Sequence, residues 1–93
     1  MKDYESMIII DPSLSEAEAE EENKKFCSFI KGKDGEVLKT DTWGKRKLAY
    51  EVEDKKDGYY FVNFFKLEPS KSKEVFRYFK LNETIFRYNL LSE

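Results

Sequence analysis

The sequence predicts an α+β domain, a ferredoxin-like βαββαβ sandwich in which a four-stranded sheet carries two helices on one face. Three observations predict it. A continuous apolar run, Met7-Ile8-Ile9-Ile10, sits close to the amino terminus, as in a central strand covered on both faces. A capped helical segment follows that run, and a second helical segment precedes a final alternating strand. Between the helices lies a long hairpin whose inner arm, Tyr59 to Phe65, is dense with aromatic residues. Strand, helix, strand, strand, helix, strand, with right-handed crossovers, gives the split βαβ arrangement and leaves the other sheet face open.

The first strand spans Tyr4 to Ile10, and Asp11-Pro12 stops it. Ser13 or Ser15 caps the next helix, and each has a glutamate three residues on (Glu16, Glu18), the capping-box spacing. The helix runs to about Lys31, with Phe26, Phe29 and Ile30 on its buried face. Its acidic block, Glu16, Glu18, Glu20, Glu21 and Glu22, lies at the positive end of the helix dipole, with Lys24, Lys25 and Lys31 towards the negative end. That reads as a solvated face stabilised by ~0.3–1 kcal/mol per well-placed charge, rather than as a docking surface for a basic partner. Gly32 and Gly35 end the helix.

The second strand begins at Val37 and runs through Lys45 to Val52, bent or bulged at Gly44. Asp57-Gly58 is the expected hairpin turn, because this dipeptide tolerates positive φ. The third strand covers Tyr59 to Leu67. Pro69-Ser70 introduces the second helix, roughly 71–81, with Val75 and Phe79 one turn apart on its inner face. The last strand, Ile85 to Leu91, alternates Phe86, Tyr88 and Leu90 against Arg87 and Asn89, a buried face against a polar one.

Ninety-three residues make a single domain, 1–93, near the lower size limit for one core. One Trp, six Tyr and eight Phe help, since each buries a large area with few torsions to freeze. A formal charge of −2 excludes a simple polycation coating nucleic acid. The charge is uneven, however: residues 1–22 hold Lys2 against eight carboxylates, a net of −7, which leaves +5 for the rest. One side of the molecule repels phosphate while another tolerates it. The single cysteine and the lack of histidine fit a reducing compartment and exclude histidine–metal and histidine–base chemistry. The apolar run near the amino terminus is too short for a signal peptide or a membrane span. The expectation is a soluble cytoplasmic chain with no cofactor, no metal and no membrane contact.

Catalysis is hard to build from these residues. Cys27 falls inside the first helix with no base to activate it, and reads as a packing residue. No phosphate-binding glycine fingerprint exists among four glycines. An acylphosphatase-like site would need an anion-binding loop after the first strand, where Asp11-Pro12-Ser13 has the wrong charge. An enzyme is rejected. Lys45-Arg46-Lys47 carries more. On a strand Lys45 and Lys47 share one face and Arg46 points to the other, which suits an edge strand laid against phosphates. Edge cations also resist aggregation, the plainer role for the same residues.

Gly58-Tyr59-Tyr60-Phe61-Val62-Asn63-Phe64 is close to the RNP motif of RNA-recognition modules, which lies on the third strand of this topology. Asp57 stands where the motif has a cation and Tyr60 where it has a small residue, and the first strand offers Met7 and Ile8 in place of an aromatic. A stand-alone single-stranded RNA-binding module of this type is therefore the alternative reading.

At Trp43-Gly44-Lys45-Arg46-Lys47-Leu48-Ala49-Tyr50 the sequence resembles the bacterial-type small-subunit ribosomal protein six family. That family shows a hydrophobic residue, glycine, a basic run and Leu-Ala-Tyr, then a loop and a Gly-Tyr strand, here Gly58-Tyr59. Tyr4-Glu5, the Asp11-Pro12 stop and the Val37 strand also fall in matching places, so the resemblance covers nearly the whole chain. Glu51 departs from it, where many relatives place proline. The resemblance implies a ferredoxin-like fold and a structural, non-catalytic role in the platform of the small ribosomal subunit. It also implies binding to small-subunit ribosomal RNA jointly with the eighteenth small-subunit ribosomal protein, the chain being a monomer outside the ribosome.

The candidate RNA-contacting residues are Lys45, Arg46, Lys47 and Tyr50. The candidate partner-binding residues are Met7, Ile9, Tyr60, Val62 and Phe64, expected as one exposed apolar patch on the open sheet face. The register of the third strand separates the two readings. The RNA-recognition module needs Tyr59 and Phe61 on the open face. The ribosomal reading wants Phe61, Phe65 and Leu67 inward and Tyr60, Val62, Phe64 and Lys66 outward, and Lys66 favours it because its cation is most easily solvated outside the core. Asn63 would then point inward and need a hydrogen-bond partner.

Overall fold

A computed structural model describes residues 1–52 and 54–92. The elements are β1 (Lys2–Ile10), α1 (Glu16–Gly32), β2 (Glu36–Val52), β3 (Lys55–Leu67), a 3-10 turn (Pro69–Lys71), α2 (Ser72–Leu81), β4 (Ile85–Tyr88) and a short β5 (Leu91–Ser92). The sheet order is β2-β3-β1-β4, with β5 pairing β1. β1 and β2 both pair β3 antiparallel, so they run the same way with β3 between them. That is the split βαβ of a ferredoxin-like fold. No described helix is long and apolar enough to cross a membrane.

The run Ile8-Ile9-Ile10 is buried throughout, as a strand flanked by β3 and β4 requires. Ser15 caps α1: its Oγ accepts from the Glu18 backbone N–H at 3.1 Å, and Glu18 Oε1 accepts from the Ser15 N–H at 2.9 Å. The backbone and side-chain hydrogen bonds of Ser15 hold the Glu18 carboxyl below its ordinary value. Of the acidic block, Glu21 and Glu22 pair with Lys24 and Lys25 one turn on, as a solvated helix face does. Ala19, Phe26 and Ile30 from α1 and Val75 and Phe79 from α2 close over the inward residues of the sheet. Phe26 is the hinge of this packing, stacked on Phe79 at 5.1 Å and edge-on to Phe65 at 5.8 Å.

β3 takes the register that places Tyr59, Phe61, Phe65 and Leu67 in the core. Asn63 points inward with them and is fully buried, and its amide is satisfied. It exchanges two hydrogen bonds with Asn23 of α1 (3.2 and 2.8 Å) and accepts a third from Thr40 Oγ1 of β2 at 2.8 Å. The cluster ties α1 to two strands. Replacing one member strands the others in an apolar site, at about 1–3 kcal/mol per orphaned group. Asn63→Leu is therefore expected to lower the unfolding free energy by about 2–3 kcal/mol, read as a lower urea midpoint at constant slope.

The expected hairpin turn is corrected. The hairpin does not turn at Asp57-Gly58: those residues lie inside β3, opposite Lys47 and Arg46, and the arms meet where Val52 pairs Lys55. The positive φ belongs to Asp54, at 64°. Gly58 is glycine for a different reason, because a Cβ there would stand 2.4 Å from Ile9 Cγ2 and 3.0 Å from Phe86 Cζ. A Gly58→Ala chain is expected to lose about 1–3 kcal/mol through this overpacking, measured by thermal or urea unfolding. α1 ends at Gly32 as expected, and the left-handed residue beyond it is Asp34 (φ 63°).

The last strand is also broken. Its pairing with β1 shifts between Ile9 and Ile10, so Ile85 enters the core and Phe86 leaves it for the neighbourhood of Gly58. Asn89 then satisfies backbone groups of Met7 and the side chain of Ser6 in β1. Its N–H donates to the Met7 carbonyl at 3.0 Å, its Oδ1 accepts from the Met7 N–H at 2.9 Å, and its carbonyl accepts from Ser6 Oγ at 2.7 Å.

Candidate interaction surface

The sheet face away from the helices carries Met7, Ile9, Tyr60, Val62 and Phe64. Pairing sets them side by side: Met7 is opposite Val62, Ile9 opposite Tyr60, and Phe64 opposite Glu5. None belongs to the core between sheet and helices. They do not form a uniformly exposed patch, however. Ile9 is 2% exposed and Val62 7%, while Met7, Tyr60 and Phe64 are half-buried. The chain itself supplies the cover. Near its far end β2 loses register with β3 between Lys47 and Val52. Leu48, Ala49 and Tyr50 lie against this face, and with Met7, Ile9, Tyr60 and Arg87 they line a small hollow of 190 Å³.

Tyr50 fastens the cover. Arg87 of β4 donates to the Tyr50 hydroxyl at 2.9 Å, and its guanidinium carbon lies 5.2 Å from the ring centre. Residues from the two opposite edge strands thus meet over the sheet. Tyr50 follows the cationic run by three residues in sequence, and in the fold its ring and hydroxyl engage Arg87 of β4. Arg87 gave no such signal, because its partner lies 37 positions away.

Gly44 bulges β2 as expected, with φ 77° and a shift of pairing between Thr42 and Gly44. The bulge sets Trp43 flat on Tyr60, ring centres 6.0 Å apart and planes 5° from parallel. Trp43 remains 48% exposed and enlarges the aromatic surface beyond the five residues read from the sequence. At the other end Lys39 Nζ sits 5.9 Å from the Phe64 ring centre.

Beside this face runs the cationic edge. β2 is an edge strand, and Lys45, Arg46 and Lys47 are all exposed on it. Lys45 pairs Tyr59 and Lys47 pairs Asp57, on the helix side, whereas Arg46 pairs Gly58 on the open side. Lys45 Nζ lies 5.7 Å from the Tyr59 ring centre, and Arg46 Nε donates to the Trp43 carbonyl at 2.9 Å. Among the described residues none of the three is in an ion pair. The run and the aromatic face are joined through Trp43.

The register removes the RNA-recognition module. Tyr59 and Phe61, which such a module presents to bases on the open face, are 7% and 2% exposed in the core. Tyr59 spends its hydroxyl on the Leu14 carbonyl at 2.9 Å. Cys27 is half-buried, its thiol aimed at Asn63 Oδ1 at 3.6 Å. Burial pushes its pKa up, against smaller opposing effects of Thr40 and Lys31. Little thiolate therefore forms at neutral pH. Alkylation of the folded chain is expected to be slower than that of the urea-unfolded chain, and to accelerate as pH rises through the thiol range.

Comparison with known proteins agrees with this geometry. Residues 3–92 match the family described as Ribosomal protein S6. The chain is 42% identical over 93 residues to small ribosomal subunit protein bS6 of Desulforamulus reducens, covering 100% of this chain and 98% of that one. It is 42% identical over 91 residues to bS6 of Streptomyces griseus, covering 98% and 95%. The crystal structure of 30S ribosomal protein S6 from Thermotoga maritima superposes with a TM-score of 0.94 at 28% identity, covering 99% of this chain and 87% of that one. The C-terminal domain of MgtC from Mycobacterium tuberculosis shares the fold alone, at TM-score 0.63 and 11% identity. With the family match running nearly end to end and the closely superposing S6 fold, this chain belongs to the ribosomal protein S6 (bS6) family, non-enzymatic proteins of the small ribosomal subunit.

Proposed function

We propose that the chain binds small-subunit ribosomal RNA jointly with the eighteenth small-subunit ribosomal protein. Lys45, Arg46 and Lys47 meet phosphates, and Tyr50, held by Arg87 at the same end of the face, contributes its exposed ring. Met7, Tyr60 and Phe64, extended by Trp43, meet the protein partner over a floor of Ile9 and Val62. One observation carries the reading: a helix-free apolar face adjoins three exposed cations that no carboxylate engages among the described residues. Aromatic and Met side chains are favoured in the cores of protein interfaces, and cations on a sheet edge suit phosphate. The net charge of −2 supports a shared task, since a basic partner would carry part of the phosphate load.

The test is co-sedimentation of the tagged chain with small subunits, followed by crosslinking. The expected neighbours are the eighteenth protein at Met7, Tyr60 and Phe64 and ribosomal RNA at the Lys45–Lys47 run. Recovery of the chain in the subunit with neither neighbour at those positions would overturn the reading.

A further inference from the structure

Helix α2 carries a second cationic stripe that neither the core nor the proposed docking face uses. Lys73, Phe76, Arg77 and Lys80 stand at i, i+3, i+4 and i+7, so they share one side of the helix, and they line a shallow hollow of 460 Å³. All four are exposed. Phe76 is 40% exposed; its inner edge leans on Tyr88 of β4, ring centres 6.5 Å apart. Among the described residues none of the three cations is in an ion pair. Glu74, next to Lys73 in sequence, is engaged by Lys33 at 2.9 Å. That hydrogen bond holds its carboxyl below its ordinary value, with weaker help from Lys71 and Arg77.

Helix stability does not account for the stripe. Lys80 suits the negative end of the α2 dipole, but Lys73 is the second residue of the helix, at the positive end, where a cation is disfavoured. Packing on Tyr88 accounts for the inner edge of Phe76 but not for the 40% of it left in water between cations. A flat ring flanked by three cations fits a ligand that offers phosphates and an unstacked base together. An acidic protein surface would match the charges but leave the ring without a partner of its own.

We infer that the Lys73–Phe76–Arg77–Lys80 stripe is a second RNA-contacting site, in which the cations take consecutive phosphates and Phe76 stacks on one base. The inference rests on the reading that this chain binds small-subunit RNA, and it adds a contact on the other side of the molecule. Lys45–Lys47 lie on β2, one edge of the sheet, whereas Phe76 packs beside β4, the opposite edge. The protein would then hold two separate segments of RNA.

The experiment compares the unaltered chain, a Lys73→Gln/Arg77→Gln/Lys80→Gln chain and a Lys45→Gln/Arg46→Gln/Lys47→Gln chain. Each is titrated with small-subunit ribosomal RNA in the presence of the eighteenth protein over a salt series. At ~0.7 per single-strand phosphate contact, the α2 variant should lower the slope of log K against log salt by about 2. Ultraviolet crosslinking of the unaltered complex should mark the peptide containing Phe76. An unchanged slope with no crosslink in residues 73–80, while the arm variant still weakens binding, overturns the inference and leaves the proposed function standing. Crosslinking of the stripe to a carboxylate of another small-subunit protein, with no RNA crosslink, overturns it in favour of a protein contact. If the unaltered chain with its partner binds no ribosomal RNA, the proposed function fails and this inference falls with it.

Discussion

A Met7→Glu/Phe64→Glu chain is expected to bind the eighteenth small-subunit protein at least ~30-fold more weakly, since loss of one well-packed interface anchor costs about 2 kcal/mol or more. Its circular dichroism and urea midpoint should stay close to those of the unaltered chain. The choice of positions follows from the burial pattern. Ile9 and Val62 sit on the same face but are 2% and 7% exposed, so a charge there would have to be desolvated within the fold. Loss of binding by such a variant would not separate interface from stability. Met7 and Phe64 are half-buried, and a carboxylate at either can turn to water. At position 64 it would also gain Lys39, whose cation already lies over the Phe64 ring. Titration against the purified partner decides the matter: affinity within twofold of the unaltered chain would remove this face from the interface.

The fold was legible because its strongest signals are local and periodic. The isoleucine run of β1, the Ser15–Glu18 cap and the Val75–Phe79 pair each depend on spacings within one element. Lys66 was enough to set the β3 register, because a slip of one residue would have buried its cation. The same choice required a partner for Asn63, and the sequence could not say that Asn23 and Thr40 would provide it from two different elements.

The errors have a common cause. Gly58 looked like a turn residue, but its lack of a side chain serves Ile9 and Phe86, residues 49 and 28 positions distant in the sequence. Phe86 looked buried by alternation until a one-residue pairing shift put Ile85 in its place. The expected exposure of the candidate surface differs for the same reason: Ile9 and Val62 are buried. Alternation assigned the right residues to the open face, yet it could not show that Leu48, Ala49 and Tyr50 fold over Ile9. Trp43 was visible only as the hydrophobic residue before a glycine. The bulge at Gly44 is what lays it on Tyr60. Period-based reading identifies faces; it does not report what another part of the chain lays across them.

Neutralising the cationic edge with Lys45→Gln, Arg46→Gln and Lys47→Gln together should weaken incorporation into small subunits and reduce its salt sensitivity while leaving the fold intact. The fold should survive because the three side chains are exposed on an edge strand and make no ion pair among the described residues. Among the described residues the one side-chain hydrogen bond put at risk is that from Arg46 Nε to the Trp43 carbonyl. Each lost phosphate contact removes ~0.7–0.9 from the slope of log K against log salt, so the triple variant should lose about 2–3. At 50 mM salt the variant would then bind more weakly, and on raising salt towards 200 mM its affinity would fall less steeply than that of the unaltered chain. A lone loss of affinity at unchanged slope would instead point to a distorted β2. Equal slopes and equal incorporation across the series would take Lys45, Arg46 and Lys47 out of the RNA interface and return them to the plainer role of edge cations that discourage strand pairing.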